Sequence, residues 1–263
     1  LDAYNERAVN YNRDVDAFPV LRRIIERITG GESFYRSPTD MGVNRAGFGI
    51  MDDGLVREAA KQEVVRRYFR YACEYLQGMT EATTVERLQL LMEDLNVTGE
   101  YRRVVTPARQ AAGEAESTGK GHRGVFCGAA IELPDGSVVT GKNSPLFHAS
   151  SALILNAAKR LASIPDTIDL LPQTIVDAVG RLKKGILGGR EVSLDLEETL
   201  VALSISGATN PAAQVALGEL KQLSGCEAHL SHIPSPGDEA GLRKLGVLLT
   251  ADPVYAGKDL FET

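Results

Sequence analysis

Cysteine is scarce in this sequence and cannot pair locally. Cys73, Cys127 and Cys226 are far apart and odd in number, and no CxxC pair occurs. That argues against a disulfide framework and fits a reducing cytoplasm, where the protein is expected to reside. Long apolar runs are missing too. None reaches the roughly 18 residues that span a bilayer, and no signal peptide is seen, so no membrane partner is expected. Basic tracts and aromatic–basic interleaving are absent and the formal net charge is −6, which sets nucleic acid aside as a main partner. No G-x-x-x-x-G-K-[ST] phosphate loop occurs, and neither internal repeats nor low-complexity segments are visible.

What is present is an ordinary folded composition. The 263 residues are 43% hydrophobic and 24% charged, enough for one large domain or two of usual size. The chain begins at Leu1 with a polar stretch, DAYNERAVNYNRD. We read it as a piece of a longer protein, with some surface made for the missing part.

Residues 1–118 read as a mainly helical domain. DVDAFPVLRRIIERIT, residues 14–29, places Phe18, Leu21, Ile24, Ile25 and Ile28 on one face before Gly30-Gly31. SPTDMGVNRAGFGIMDDG, residues 37–54, has no period and reads as a loop or a short strand between turns. Residues 55–77 form a long helix with Val56, Ala60, Val64, Tyr68, Tyr71 and Tyr75 as its stripe. Arg57, Lys61, Arg66 and Arg70 form a solvated face. Thr80 caps a further helix to about Asn96, striped by Val85, Leu88, Met92 and Leu95. A weaker helix covers 101–116, and ESTGKGHRG marks a boundary near 118.

Residues 119–263 change pattern. VFCGAAIEL and SVVTG are strands joined at Pro134-Asp135-Gly136. Helices are expected at about 150–162, 194–206, 211–223 and 236–245, with strands at CEAHLSHI and VLLTA. Residues 166–192 read as mixed. Strands alternating with helices imply a three-layer α/β/α sandwich.

The hairpin GAAIELPDGSVVTG resembles the opening of the cytidine deaminase fold. Ile233-Pro234-Ser235-Pro236-Gly237-Asp238 sits where such enzymes carry P-C-x-x-C. The chemistry departs from that pattern. His148-Ala149-Ser150 puts serine where H-x-E needs its glutamate, and Ser235 and Asp238 replace both cysteines. No metal and no cofactor is therefore expected. Ser235 with Asp238 is a capping box, with Pro236 at the first helical position.

SPTDMGVNRAGFGIMDD, AIELPDGSVVTGKNS, ASSALILNA, LVALSISGATNPAA and GCEAHLSHIPSPGDEAGLRKLGVLLT extend over most of the chain. Together they resemble the C-terminal half of a bacterial family catalogued as domain of unknown function 1846. The resemblance implies a longer protein whose upstream half carries a Gly-rich, phosphate-loop-like segment. It supplies fold and context but no catalytic residues.

Three near-starts of helices pair a polar residue with proline: Ser144-Pro145, Asn210-Pro211 and Ser235-Pro236. The plain reading is that helices begin this way. The functional reading is that Thr209, Asn210, His229 and Ser235 line a crevice for an anion at free helix N–H groups. His148 and Asp238 complete the candidate ligand-binding set. Asp40, Asn44, Asp52 and Asp53 form a second cluster, read as turn structure. Two functions stay open. One is an enzyme part that binds a small phosphate-containing metabolite or nucleotide with the missing half. The other is a non-catalytic assembly or regulatory module on a metal-free deaminase-like scaffold. A metal hydrolase built on His148, His229 and Asp238 has no recognisable ligand spacing. A homo-oligomer is expected on either reading.

Overall fold

The computed structural model describes residues 24, 26–28, 30, 53–189 and 192–257. Of the helix expected at 14–29, Ile24 and Glu26 to Ile28 are helical. The remainder lies outside the described residues, as do Asp40, Asn44 and Asp52. By packing, the chain forms two compact units, one of residues 1–71 and 80–98, the other of residues 72–79 and 99–263. The division expected near 118 thus falls earlier, because the helix before 118 packs with the sheet.

The described part of the first unit is mainly α1 (Asp53–Leu76), up to Tyr71, and α2 (Ala82–Asp94). The buried line of α1 is Val64, Val65, Phe69 and Ala72, while Tyr75 is 50% exposed. This stripe lies one residue over from the expected tyrosine line. Tyrosine carries a hydroxyl that prefers water, so the purely apolar neighbours win the interior. Arg57 and Arg70 are exposed, and Arg66 and Arg67 pair with Glu63. On α2, Leu88 and Met92 are buried. Its N-cap is Glu81 rather than Thr80, with no side-chain capping bond.

The second unit is a mixed α/β structure. β1 (Gly128–Glu132) and β2 (Val138–Lys142) form the expected hairpin, with Gly136 at φ 77° in the turn. β3 (Glu227–Leu230) pairs antiparallel with β1, and β4 (Leu248–Ala251) pairs parallel with β3. The order is β2-β1-β3-β4. Helices cover both faces. α3 (Val105–Ser117) buries Ala108 with Val104 against Ala130. On the other face Ala129, Ile131, Ala228 and Leu230 join Leu153 and Ile154 of α4 (Ala149–Leu161) in the main core.

Glycine sets both close approaches. A Cβ at Gly128 would meet the backbone of Ala108 and Ala112, and one at Gly141 would meet the backbone of Ala149 and Leu153. α5 (Gln173–Gly185) occupies the stretch expected to be mixed, and only its Val176 is fully buried. Ile175 and Val179 pack partly buried against the core beside it, while Leu182 is 45% exposed. α6 (Leu196–Gly207), α7 (Pro211–Glu219) and α8 (Pro236–Lys244) follow near their expected bounds. Among the described residues no helix is long and apolar enough to cross a membrane.

Candidate functional site

Three helix starts meet at one buried carboxylate. His148 is the N-cap of α4, Asp195 of α6 and Ser235 of α8. Asp238, in the first turn of α8, is 2% exposed. Its Oδ1 accepts from the Leu196 backbone N–H at 3.0 Å and from the Ser150 hydroxyl. Its Oδ2 accepts from the Ser235 hydroxyl at 2.7 Å and lies 2.7 Å from His148 Nδ1. Gly237 makes the approach feasible, since a Cβ there would strike the Asp195 carboxylate.

The charge state follows from the donors. Burial works to raise the Asp238 carboxyl, but hydrogen bonds from His148, Ser150 and Ser235 prevail and hold it below the usual range. An ionised carboxylate only accepts, so His148 Nδ1 carries the proton and donates. Asp195 moves the other way. Burial raises it first, and the negative charges of Glu198 and Asp238 add to that. His148 keeps 21% of its side chain exposed. It is therefore an oriented imidazole at the rim of a buried network.

His232, in the loop between β3 and α8, was not singled out from sequence. Its Nδ1 is shielded from solvent without a hydrogen-bond partner. Burial pushes the ring down to about 4, with Asp238 pulling weakly the other way.

His229 belongs to a neighbouring cluster on the α3 face. Its Nδ1 lies 2.9 Å from Thr250 Oγ1 and its Nε2 lies 3.4 Å from Asp252 Oδ1. Arg109 of α3 grips Asp252 with two bonds, at 2.9 and 2.7 Å, and also pairs with Glu100. Burial lowers His229, and Asp252 opposes that. Asp252 itself is held far below the usual carboxylate range: burial opposes this, and the Arg109 hydrogen bonds overcome it. Arg102, also buried, bonds Glu227 and the Leu248 carbonyl, the latter at 2.9 Å. Asp252, Arg109 and Arg102 were missed because their partners are distant in sequence. One signal was available. Asp252 directly follows β4 and His232 follows β3 by two residues, at the carboxyl ends of parallel strands where α/β ligands gather.

Asn210 and Thr209 do not join this site. Asn210 caps α7, accepting from Ala212 and Ala213 N–H, while its Nδ2 donates to the Asp169 carbonyl. It follows the C-terminus of α6, whereas Asp238 touches the N-terminus of that helix. Twelve residues of helix, about 18 Å, lie between. The shared crevice expected at Asn210 and Ser235 is corrected accordingly. Thr209 is exposed beside Asn210. Ser144 likewise accepts from the Leu146 and Phe147 N–H groups in a turn ahead of α4.

The donor set does not fit zinc. His148 Nδ1 and Asp238 Oδ2 satisfy one another, and the remaining first-position groups are hydroxyls. Among the described residues no group of three or more His, Cys, Asp or Glu is placed to hold a metal ion.

The fold and site thus define a mixed α/β protein with a hydrogen-bonded His–Asp pair where three helices begin. Residues 100–261 match the C-terminal "domain of unknown function DUF1846" and residues 1–96 match the N-terminal one, so the chain belongs to that family. The likeness is broader than the C-terminal half expected from the motifs. A UPF0371 protein of Clostridium botulinum (strain Kyoto / Type A2) is 49% identical over 261 residues, covering 99% of this chain and 52% of that protein. One of Clostridium tetani (strain Massachusetts / E88) is 47% identical over 260 residues, with the same coverage. The chain spans about half the length of these curated relatives.

Proposed function

We propose that the α/β unit is a metal-free version of the deaminase-like scaffold, and that it supplies proton transfer to a small polar metabolite within a longer family protein. His148 is the proton-transferring group and Asp238 positions it. The observation that carries this is the 2.7 Å contact of the partly exposed His148 with the buried, ionised Asp238. A carboxylate on one ring nitrogen fixes the tautomer and leaves the other as the working atom, the arrangement used in general acid–base catalysis. The four residues at the deaminase motif positions, 148, 150, 235 and 238, meet here as one hydrogen-bonded set, which supports the scaffold reading. An anionic metabolite or nucleotide at these helix starts would compete with Asp238 for the same donors. That shifts the reading from anion binding toward proton transfer. Cytoplasmic residence fits a metabolite substrate.

The test is metabolite profiling with a full-length family protein. The parent and His148→Asn, matched for folding by circular dichroism, are incubated with cell extract. A compound converted by the parent should be spared by the variant, by a factor of about 10² to 10⁴ if His148 transfers the proton. Identical conversion by both would refute the assignment.

A second reading, assembly through a two-fold homodimer, rests on a separate observation. α6 and α7 pack together and leave Val201, Ile205 and Val215 between 52% and 61% exposed. Light scattering at micromolar concentration giving a monomer would remove it.

A further inference from the structure

We propose that a second site, at the far end of α4 from His148, binds a small phosphate ester that carries hydroxyl groups. A cavity of about 770 Å³ opens between β2 and the last turn of α4, within the usual range for small-molecule pockets. Its wall is mostly polar. Lys159 and Arg160 stand on the helix side, Ser137 and Thr140 on the strand side, and Asn156 and Ser163 between them.

Each group has a defined state. Lys159 Nζ donates to the Asp166 carbonyl at 3.0 Å, which fixes the ammonium at the rim with further N–H donors to spare. Arg160 is exposed, and among the described residues no hydrogen bond or close ion pair engages its guanidinium. A guanidinium facing a concave polar wall matches a phosphate with two parallel bonds. β2 is the edge of the sheet. Leu133 N–H donates to Ser137 and Asn143 N–H to Cys127, so the odd positions of β2 face β1. The Thr140 backbone therefore faces outward. Its carbonyl takes Asn156 Nδ2 at 2.9 Å, and its N–H remains as a donor toward the cavity edge.

Cations at a helix C-terminus complement the dipole, and that alone accounts for their position on α4. It does not account for a cavity walled by three hydroxyl residues and an amide beside them. Asp166 also lines the cavity, and Asp135, which accepts from the Ser137 hydroxyl and attracts Arg160, keeps the positive excess there small. That balance favours a monoester over a polyphosphate and gives the hydroxyls of the ester an acceptor.

The site is independent of the His148 proposal, and the experiment separates the two. Amide chemical shifts of the whole chain are followed while ribose 5-phosphate, ribose or inorganic phosphate is added. Ribose 5-phosphate should move Thr140, Asn156 and Ser163 saturably in the millimolar range, ribose should not, and inorganic phosphate should bind more weakly. Lys159→Ala/Arg160→Ala should weaken binding at least tenfold, while His148→Asn leaves it unchanged. No shift at up to about 20 mM ribose 5-phosphate would overturn the proposal. So would shifts confined to the His148 and Ser235 helix starts, or equal affinity in the double variant. Inorganic phosphate binding as tightly as the ester would overturn the hydroxyl recognition.

Discussion

His232 should make the protein acid-labile well above the range where carboxylates titrate. Nδ1 is shielded and has no partner, so the folded state favours the neutral form and the ring is pushed down to about 4 from 6.5. The unfolded chain takes up a proton below 6.5 and the folded chain does not until about 4. Between these values the unfolded state binds more protons, so stability falls as pH falls. For one such group the loss is about 2 kcal/mol at pH 5 and on the order of 3 kcal/mol at full effect. His229 is lowered as well and acts in the same direction. The comparison must therefore be differential. Urea unfolding of the parent and of His232→Gln, followed by circular dichroism from pH 7.5 to 4.5, gives the two stability profiles. The parent should lose about 2 kcal/mol more than the variant between pH 7.5 and 5. Asp238 and Asp252 are both held low, so their stabilisation is lost only as pH drops below about 3.8 and does not intrude. Parallel profiles for parent and variant would refute the reasoning and place His232 in contact with solvent or a partner.

Two further outcomes concern the packed unit. Asp238→Asn presents N–H donors to a site filled with donors, and should lower stability at pH 7 by on the order of 2–4 kcal/mol in urea titration. Combined with His148→Asn it should show a coupling of at least about 1 kcal/mol, and simple additivity would count against the dyad. Gly141→Ala forces a methyl into the α4 backbone and should lower stability by about 1–3 kcal/mol, whereas an unchanged melting temperature would mean that α4 can shift.

Local chemistry made much of the fold legible. Pro134-Asp135-Gly136 announced the β1–β2 hairpin. Ser235 and Pro236 marked the start of α8 in the same way. Pairings across the chain stayed hidden. Arg109 and Asp252 are 143 residues apart, and nothing in either neighbourhood names the other. His148, Ser235 and Asp238 were readable as candidates because a motif pattern placed them, but the contact between them depends on the strand order. Asn210 was legible as a cap, and its separation from the Asp238 cluster was not. Capping chemistry says where a helix begins and not which other helix starts lie nearby.

That distinction explains why the helix starts near Ser235 look like an open anion site in sequence and hold an internal carboxylate in the fold. Each helix N-terminus carries roughly half a positive charge. α4, α6 and α8 begin around one point, so their fields add there. An open cluster of this kind would draw in a phosphate. Here Asp238 already lies at the centre, ionised, accepting from a backbone N–H, two hydroxyls and an imidazole. An incoming dianion would meet that charge and the nearby Asp195, and would have to take over donors already used. The internal carboxylate thus fills the place a ligand would otherwise take. At the rim, the same carboxylate accepts from His148 Nδ1 and orients that partly exposed ring.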